Sequence, residues 1–443
     1  MAKKPAAILE DNDKDGVAEI TAVADRGLGR AGVHSRRYVK VVVRARQAVP
    51  QAGHVERRAV QIGFAVDRSG SMSGPKLALA KVAIAEALQQ MLIKDSFAIS
   101  WFDGHAFLME PCQRATASAV ATTIAAVRQV QTGGDTALHD GWALAADAVR
   151  KGREPDAVAR VLLLTDGQAN RGPSKPLQLG SLAARMRAEG VATSAIGIGD
   201  DFNEELLTKM ATEGGGNFYY AKTPEDLKRF AEIELGEAKE VVASAVALHI
   251  RPSDGVRVDV LSEFPATWTG TELKVNVGDL VSDQEIALVL RLTLPAGQVG
   301  ERCSLEVTAT EAGQVVMLPA QTVGFVLADN LANDAQPRNR GVDRMVAGLY
   351  AALARMEAVG HNRRHEFAVA AHLLQQAAAR IESYAGDDVP LQQLVSLLRQ
   401  DAARFAVRQD EMTRKEMYFG SSSLSRGKHR DGTSVRSGDR DLQ

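Results

Sequence analysis

Hydrophobic and polar positions divide the chain into three regimes. Between Ala59 and about Glu234, short apolar runs alternate with stretches whose apolar residues recur every three or four positions. The runs at 60–66, 96–102, 160–165, 191–198 and 217–221 predict strands, and helical periodicity covers 75–91, 118–129, 137–150, 178–188, 203–211 and 224–234. This alternation predicts an α/β fold: a doubly wound, Rossmann-like, mostly parallel sheet with helices on both faces. On either side the period becomes that of strands. Ile20, Val23 and the β-branched run Tyr38-Val39-Lys40-Val41-Val42-Val43 make 18–49 extended, and 241–250, 256–260, 272–277, 285–294, 303–310 and 314–318 form a second β series broken by turns such as Ser253-Asp254-Gly255.

The early strands have no partners of their own. We therefore expect 18–58 to pair with a β-sandwich at 236–330, leaving the α/β unit at 59–235 inserted in or flanked by that sandwich. Helical stretches at 340–359, 365–385 and 391–417, with an apolar stripe of Met345, Leu349, Leu353 and Met356, predict a helical bundle over 335–418. Residues 1–17 are expected as an N-terminal tail, and 419–443, rich in Ser, Gly, Arg and Asp, as a disordered one.

Composition narrows the function classes. A chain of 443 residues has room for about three domains at roughly 150 residues each. Its 53 Lys and Arg against 55 Asp and Glu give a net charge of −2, so no overall field draws nucleic acid or an anionic membrane, and neither is expected as a partner. Two distant cysteines, Cys112 and Cys303, make no disulfide framework or thiolate cage and suit a reducing cytoplasm. No apolar run approaches the ~18 residues of a membrane helix, and the first residues lack the apolar core of a secretory signal.

The chemistry gathers where apolar strands run into polar turns. In Phe64-Ala65-Val66-Asp67-Arg68-Ser69-Gly70-Ser71-Met72-Ser73-Gly74-Pro75 a buried strand delivers a carboxylate and two hydroxyls at alternating positions, Asp67, Ser69 and Ser71. Short oxygen-bearing side chains so spaced can fold around one hard cation. Two further turns offer matching groups: Thr132-Gly133-Gly134-Asp135-Thr136 before a helix, and Thr165-Asp166-Gly167 at the end of a strand. In a doubly wound sheet these carboxyl edges lie side by side, where such folds place their sites. Asp135 is read as a helix cap, and His139 and Asp140 as solvated.

These residues resemble the metal-ion-dependent adhesion site of von Willebrand factor type A domains, in the order and separations of that family, over roughly 59–234. The resemblance implies that Ser69, Ser71 and Thr136 offer hydroxyl oxygens to Mg²⁺, with Mn²⁺ or Ca²⁺ as alternatives, while Asp67 and Asp166 reach it directly or through water. It also implies a position left open for a Glu or Asp of a partner protein. The architecture around the domain looks like that of bacterial intracellular proteins of this kind, with kinases, phosphatases, phosphothreonine-binding domains or an AAA+ ATPase as implied partners. The expectation is a non-enzymatic, Mg²⁺-dependent binding module in a signalling or stress-response assembly. An AAA+ adaptor and a metal-dependent phosphoester hydrolase are the alternatives, the last lacking any visible phosphate-holding group except Arg68.

Other signals weigh less. Gly27-Leu28-Gly29-Arg30-Ala31-Gly32 fits G-x-G-x-x-G but precedes a strand, so a flexible hairpin turn is expected. His361, His365 and His372 share a helical spacing with no acidic partner at metalloprotease spacing and beside Arg363 and Arg364, and read as a solvated face. Thr433, in the supposed tail among Arg430, Arg436 and Arg440, is a candidate phosphorylation site for an Arg-lined pocket.

Overall fold

The computed structural model describes residues 18–46, 57–311, 314–315 and 320–442; the expected tail at 1–17 lies outside them. Three strands come first: β1 (Ala18–Ala24), β2 (Leu28–Arg30) and β3 (Ser35–Ala45). The chain then builds an α/β unit. Its strands are β4 (Val60–Asp67), β5 (Ser96–Phe102), β6 (Ala106–Arg114), β7 (Val158–Thr165), β8 (Val191–Ile198) and β9 (Gly215–Ala221). Its helices are α1 (Pro75–Gln89), α2 (Ala117–Gln129), α3 (Leu138–Lys151), α4 (Pro176–Ala188), α5 (Glu204–Glu213) and α6 (Pro224–Lys239).

The sheet order is β6-β5-β4-β7-β8-β9, and every pairing is parallel except that of β6 with β5. All residues of β4 and β7 are buried, which is why they read as nearly continuous apolar runs. Periodicity does not reveal β6, which is half exposed and carries Pro111, a residue tolerated at an edge. Helix α3 docks so closely that a Cβ on Gly141 would lie 2.1 Å from Phe102 Cδ1, and one on Gly63 would lie 2.8 Å from Val149 Cγ2. That docking fixes the turn before α3 against the carboxyl ends of the central strands.

After α6 come β10 (Val241–Pro252), β11 (Arg257–Val260), β12 (Ala266–Thr269), β13 (Glu272–Val281), β14 (Glu285–Leu294), β15 (Arg302–Glu311), β16 (Gln314–Val315) and β17 (Gln321–Ala328). They form two sheets with the first three strands, β1-β3-β14-β11 and β12-β13-β10-β15-β17-β2, with β16 on β15. The register of β3 with β14 runs from Ser35↔Leu294 to Arg44↔Glu285. The α/β unit is thus an insertion into a sandwich whose core includes Val39, Val41, Leu248, Leu288, Leu290 and Leu305. The Gly27–Gly32 run is not a free turn: it contains β2, a parallel partner of β17. Gly29 packs where a Cβ would lie 2.7 Å from Leu294 Cδ1.

Helices α7 (Asn330–Ala335), α8 (Arg340–Arg363), α9 (Phe367–Ala385), α10 (Val389–Phe405) and α11 (Glu411–Ser425) follow. The one helix expected at 391–417 is two. Asn362 Nδ2 donates to Phe405 O at 3.0 Å and to Val407 O at 2.8 Å, satisfying carbonyls freed at the break. Asp410 then caps α11 by accepting from Thr413 N at 2.8 Å.

The tail expected to be disordered from 419 is instead folded through its described residues. Ser421, Ser422, Ser423 and Ser425 are buried in α11, where Ser425 Oγ bonds Glu263 Oε2 at 2.6 Å. Further on, Ser434 Oγ donates to Glu237 Oε1 at 2.7 Å and accepts from Gln284 Nε2 at 3.0 Å, while Val435 O accepts from Glu285 N at 2.8 Å. These bonds tie the segment to both α6 and the sandwich. A small, polar sequence read as a solvated tail because its burial rests on hydrogen bonds that leave no hydropathy signal. In native protein, trypsin is expected to cut at Arg426, Arg430 and Arg436 about 100-fold or more slowly than in urea-unfolded protein. Intact-mass spectrometry over a time course checks this; immediate loss of the last residues would show a free tail.

Candidate functional site

Three turns meet at the carboxyl edge of the α/β sheet. Strand β4 ends in Asp67, a 3-10 turn at Gly70–Met72 follows, and α1 begins at Pro75 with Gly74 as N-cap at φ 77°. Neither Ser71 nor Ser73 caps the helix, so the hydroxyl of Ser71 is left to the turn. Backbone bonds lace the turns together: Gly70 N donates to Gly134 O at 3.0 Å, Gly133 N to Arg68 O at 2.6 Å, and Ala137 N to Asp103 O at 2.6 Å. A side chain on Gly133 would collide with the Asp103 carboxylate, which explains a glycine there.

All five sequence-predicted residues converge. Asp67, Asp166, Ser69 and Thr136 are buried and Ser71 is exposed. Ser71 Oγ lies 3.1 Å from Ser69 Oγ and donates to Asp166 Oδ1 at 2.8 Å. A Cβ built on Gly167 would sit 3.2 Å from Thr136 Oγ1, 3.7 Å from Asp67 Oδ2 and 3.7 Å from Ser71 Oγ. The bare backbone of Gly167, in the third turn, therefore fronts a cradle lined by oxygens from the other two. Asp67 accepts from Ser69 N at 2.8 Å and from Thr165 Oγ1 at 2.6 Å. Burial nevertheless pushes its carboxyl up to about 6, with the charge of Asp166 adding to the effect.

This donor set, two carboxylates and three hydroxyls, is that of a small hard cation. Among the described residues no cluster of three or more His, Cys, Asp or Glu competes with it as a metal site. Four neighbours escaped the sequence reading. Lys76 Nζ reaches Asp166 Oδ2 at 2.5 Å; Thr165 holds Asp67; Asn170 Oδ1 accepts from Thr136 N at 2.8 Å; Asp103 Oδ2 pairs with Arg68 at 2.6 Å. Lys76 and Thr165 adjoin the turns in sequence, and position alone could have drawn attention to them.

Asp135 is not a cap. It pairs with Arg171 Nε at 2.8 Å, and the N-cap residue of α3 is Ala137, which makes no side-chain bond. His139 Nδ1 lies 2.8 Å from Asp140 Oδ1. His361 belongs to α8 and His372 to α9, with His365 between them; His361 Nδ1 lies 2.6 Å from Glu366 Oε2. Thr433 is half-buried, and its Oγ1 donates to Asp431 Oδ1 at 2.6 Å in a folded turn, so it is not the portable ligand expected of a mobile tail.

Residues 61–233 match the family model of the von Willebrand factor type A domain, and the chain contains such a domain. Domains of this family mediate protein–protein interactions and commonly bind a divalent metal. Among curated proteins, the chain is 26% identical to the uncharacterized protein sll0103 of Synechocystis over 61% of its own length and 65% of that protein. It is also 26% identical to the uncharacterized protein YfbK of Escherichia coli, over 57% of its own length and 44% of that protein. The chain thus spans less than two thirds of these relatives. Among solved structures, a von Willebrand factor type A protein from Catenulispora acidiphila matches 96% of this chain and 99% of its own, with a TM-score of 0.72 at 18% identity. At that identity the likeness concerns the fold, and it extends over sandwich and helices as well as the α/β unit.

The bond from Thr165 is the feature of the site most open to a stability test. Thr165→Val is expected to destabilise the protein by about 1–3 kcal/mol, because the Asp67 carboxylate loses a buried donor. Urea denaturation of both proteins measures it, and an unchanged midpoint would mean that Asp67 does not depend on this hydroxyl.

Proposed function

We propose that the chain is an Mg²⁺-dependent protein-binding module that captures a partner carboxylate at Asp67, Ser69, Ser71, Thr136 and Asp166. The observation that carries this reading is the oxygen-lined cradle in front of Gly167, supplied by the turns after β4 and before α3, which backbone bonds hold in register. Ser69, Ser71 and Thr136 would hold the cation by their hydroxyls, with the two aspartates balancing its charge. A cation held there supplies a point of positive charge that a Glu or Asp of the partner can complete. Thr165 and the Ser69 amide orient Asp67; Asn170 fixes the backbone of Thr136; the lacing of Gly70, Gly133 and Ala137 sets the spacing between turns.

Binding is favoured over phosphoester hydrolysis by the state of Arg68. Its guanidinium pairs with Asp103 at 2.6 Å and stacks 4.9 Å from the Phe107 ring centroid, an arrangement that commits it to the protein and not to a phosphate. Both cysteines are free thiols, in keeping with a reducing compartment such as the cytoplasm. No helix among the described residues is long and apolar enough to cross a membrane.

Pulldown from native extract, in Mg²⁺ or EDTA, with wild type and Asp67→Ala, is expected to show partners held only by wild type in Mg²⁺. An identical bound set in all four samples would refute the reading. Gly167→Val should fill the cradle and weaken Mg²⁺ binding by about 10-fold or more while leaving the circular dichroism spectrum unchanged. Calorimetric titration with MgCl₂ reads this directly.

A further inference from the structure

The cation-binding reading leaves one charged group without a role. Lys76, in the first turn of α1, sends its ammonium to Asp166 Oδ2 at 2.5 Å, while Asp166 Oδ1 is taken by the Ser71 hydroxyl at 2.8 Å. Both oxygens of a fully buried carboxylate are thereby engaged. Without Lys76, two buried carboxylates, Asp67 and Asp166, would share one small region with no positive charge against either, an arrangement that burial penalises heavily.

We propose that Lys76 is a built-in counter-cation of this site: its ammonium neutralises Asp166 when no metal is bound and is displaced when a divalent cation enters. The inference rests on the cation-binding reading and deepens it. A lysine suits this task because its charge is a compact point on a flexible four-carbon stem, able to leave without moving the backbone. Its side chain is 31% exposed while that of Asp166 is 0%, so the ammonium has a route to water that the carboxylate lacks. Gly199, at φ 72°, lies on its other side, and even a Cβ there would make only ordinary contact at 3.4 Å from Nζ.

Two consequences follow from simple electrostatics. A monovalent ion gains nothing by replacing an ammonium already in place, so the site selects divalent cations by charge as well as by geometry. A divalent ion must work against the lysine for Asp166 and against its positive charge nearby, so Lys76 lowers metal affinity while stabilising the metal-free protein.

The test uses the full-length protein as wild type, Lys76→Gln and Lys76→Met, titrated with MgCl₂ by calorimetry and melted in EDTA and in saturating MgCl₂. Both neutral variants are expected to bind Mg²⁺ about tenfold more tightly. They should melt below wild type in EDTA, with the gap closing or reversing in Mg²⁺. If wild type binds no Mg²⁺ and the neutral variants do, the lysine is a stronger competitor than supposed and the inference holds. Equal or weaker Mg²⁺ binding by both variants, with wild type binding normally, overturns the role of Lys76 and leaves the metal site standing. No Mg²⁺ binding by any of the three removes the site and the inference together.

Discussion

Everything at the sheet edge is arranged around a carboxylate that water cannot reach. Asp67 ends a strand buried along its whole length, and its charge has to be met by whatever the surrounding turns provide. The Ser69 amide and the Thr165 hydroxyl meet it in part, yet its carboxyl still stands near 6, well above the ordinary range. A second buried carboxylate, Asp166, raises the demand for positive charge. The geometry of Gly167, the three hydroxyls and Lys76 can all be understood as answers to that single electrostatic problem.

Legibility in the sequence followed the physical origin of each feature. Strands buried on both faces announce themselves as apolar runs, and β5 and β8 begin and end where the pattern does. The five candidate residues are visible because they are short oxygen-bearing side chains placed where strands run into turns. The edge strand β6 was not legible, since half exposure and Pro111 leave no period to read. The Ser-rich segment after Phe419 was misread for a related reason. Its burial depends on partners distant in sequence, Glu237, Glu263 and Gln284, and no local pattern encodes them. Lys76 and Thr165 fell between these cases, next to the motif but outside its alternation.

The site is not isolated from the rest of the molecule. Beyond Gly199, the turn into α5 is held from α11: Lys415 Nζ donates to Phe202 O at 2.6 Å and to Glu204 Oε2 at 3.0 Å. Arg363 of α8 reaches the other oxygen of Glu204 at 2.5 Å. Elsewhere on the α/β unit, Arg160, which pairs with buried Glu234 at 2.8 Å, also reaches Asp279 Oδ2 of β13 at 3.4 Å, and Glu237 of α6 accepts from Ser434 Oγ at 2.7 Å. Buried pairs of this kind specify one arrangement more than they stabilise it, since a shifted register would strand a charge. The inserted unit is therefore oriented by polar contacts at both places.

The insertion also dictates an order of events on the ribosome. Ser35 of β3 pairs with Leu294 of β14, so the first sandwich strands must wait for the whole α/β unit and much of the second β series to be made. At about 5–20 residues per second, that delay is on the order of 10–50 s. The inserted unit has all six strands of its own sheet early and can fold first, while the apolar residues Val39, Val41 and Val43 stay uncovered. A newborn chain of this protein is therefore a finished α/β domain preceded by a two-stranded β1–β3 ribbon whose other edge waits for β14, a substrate for chaperones until the sandwich closes.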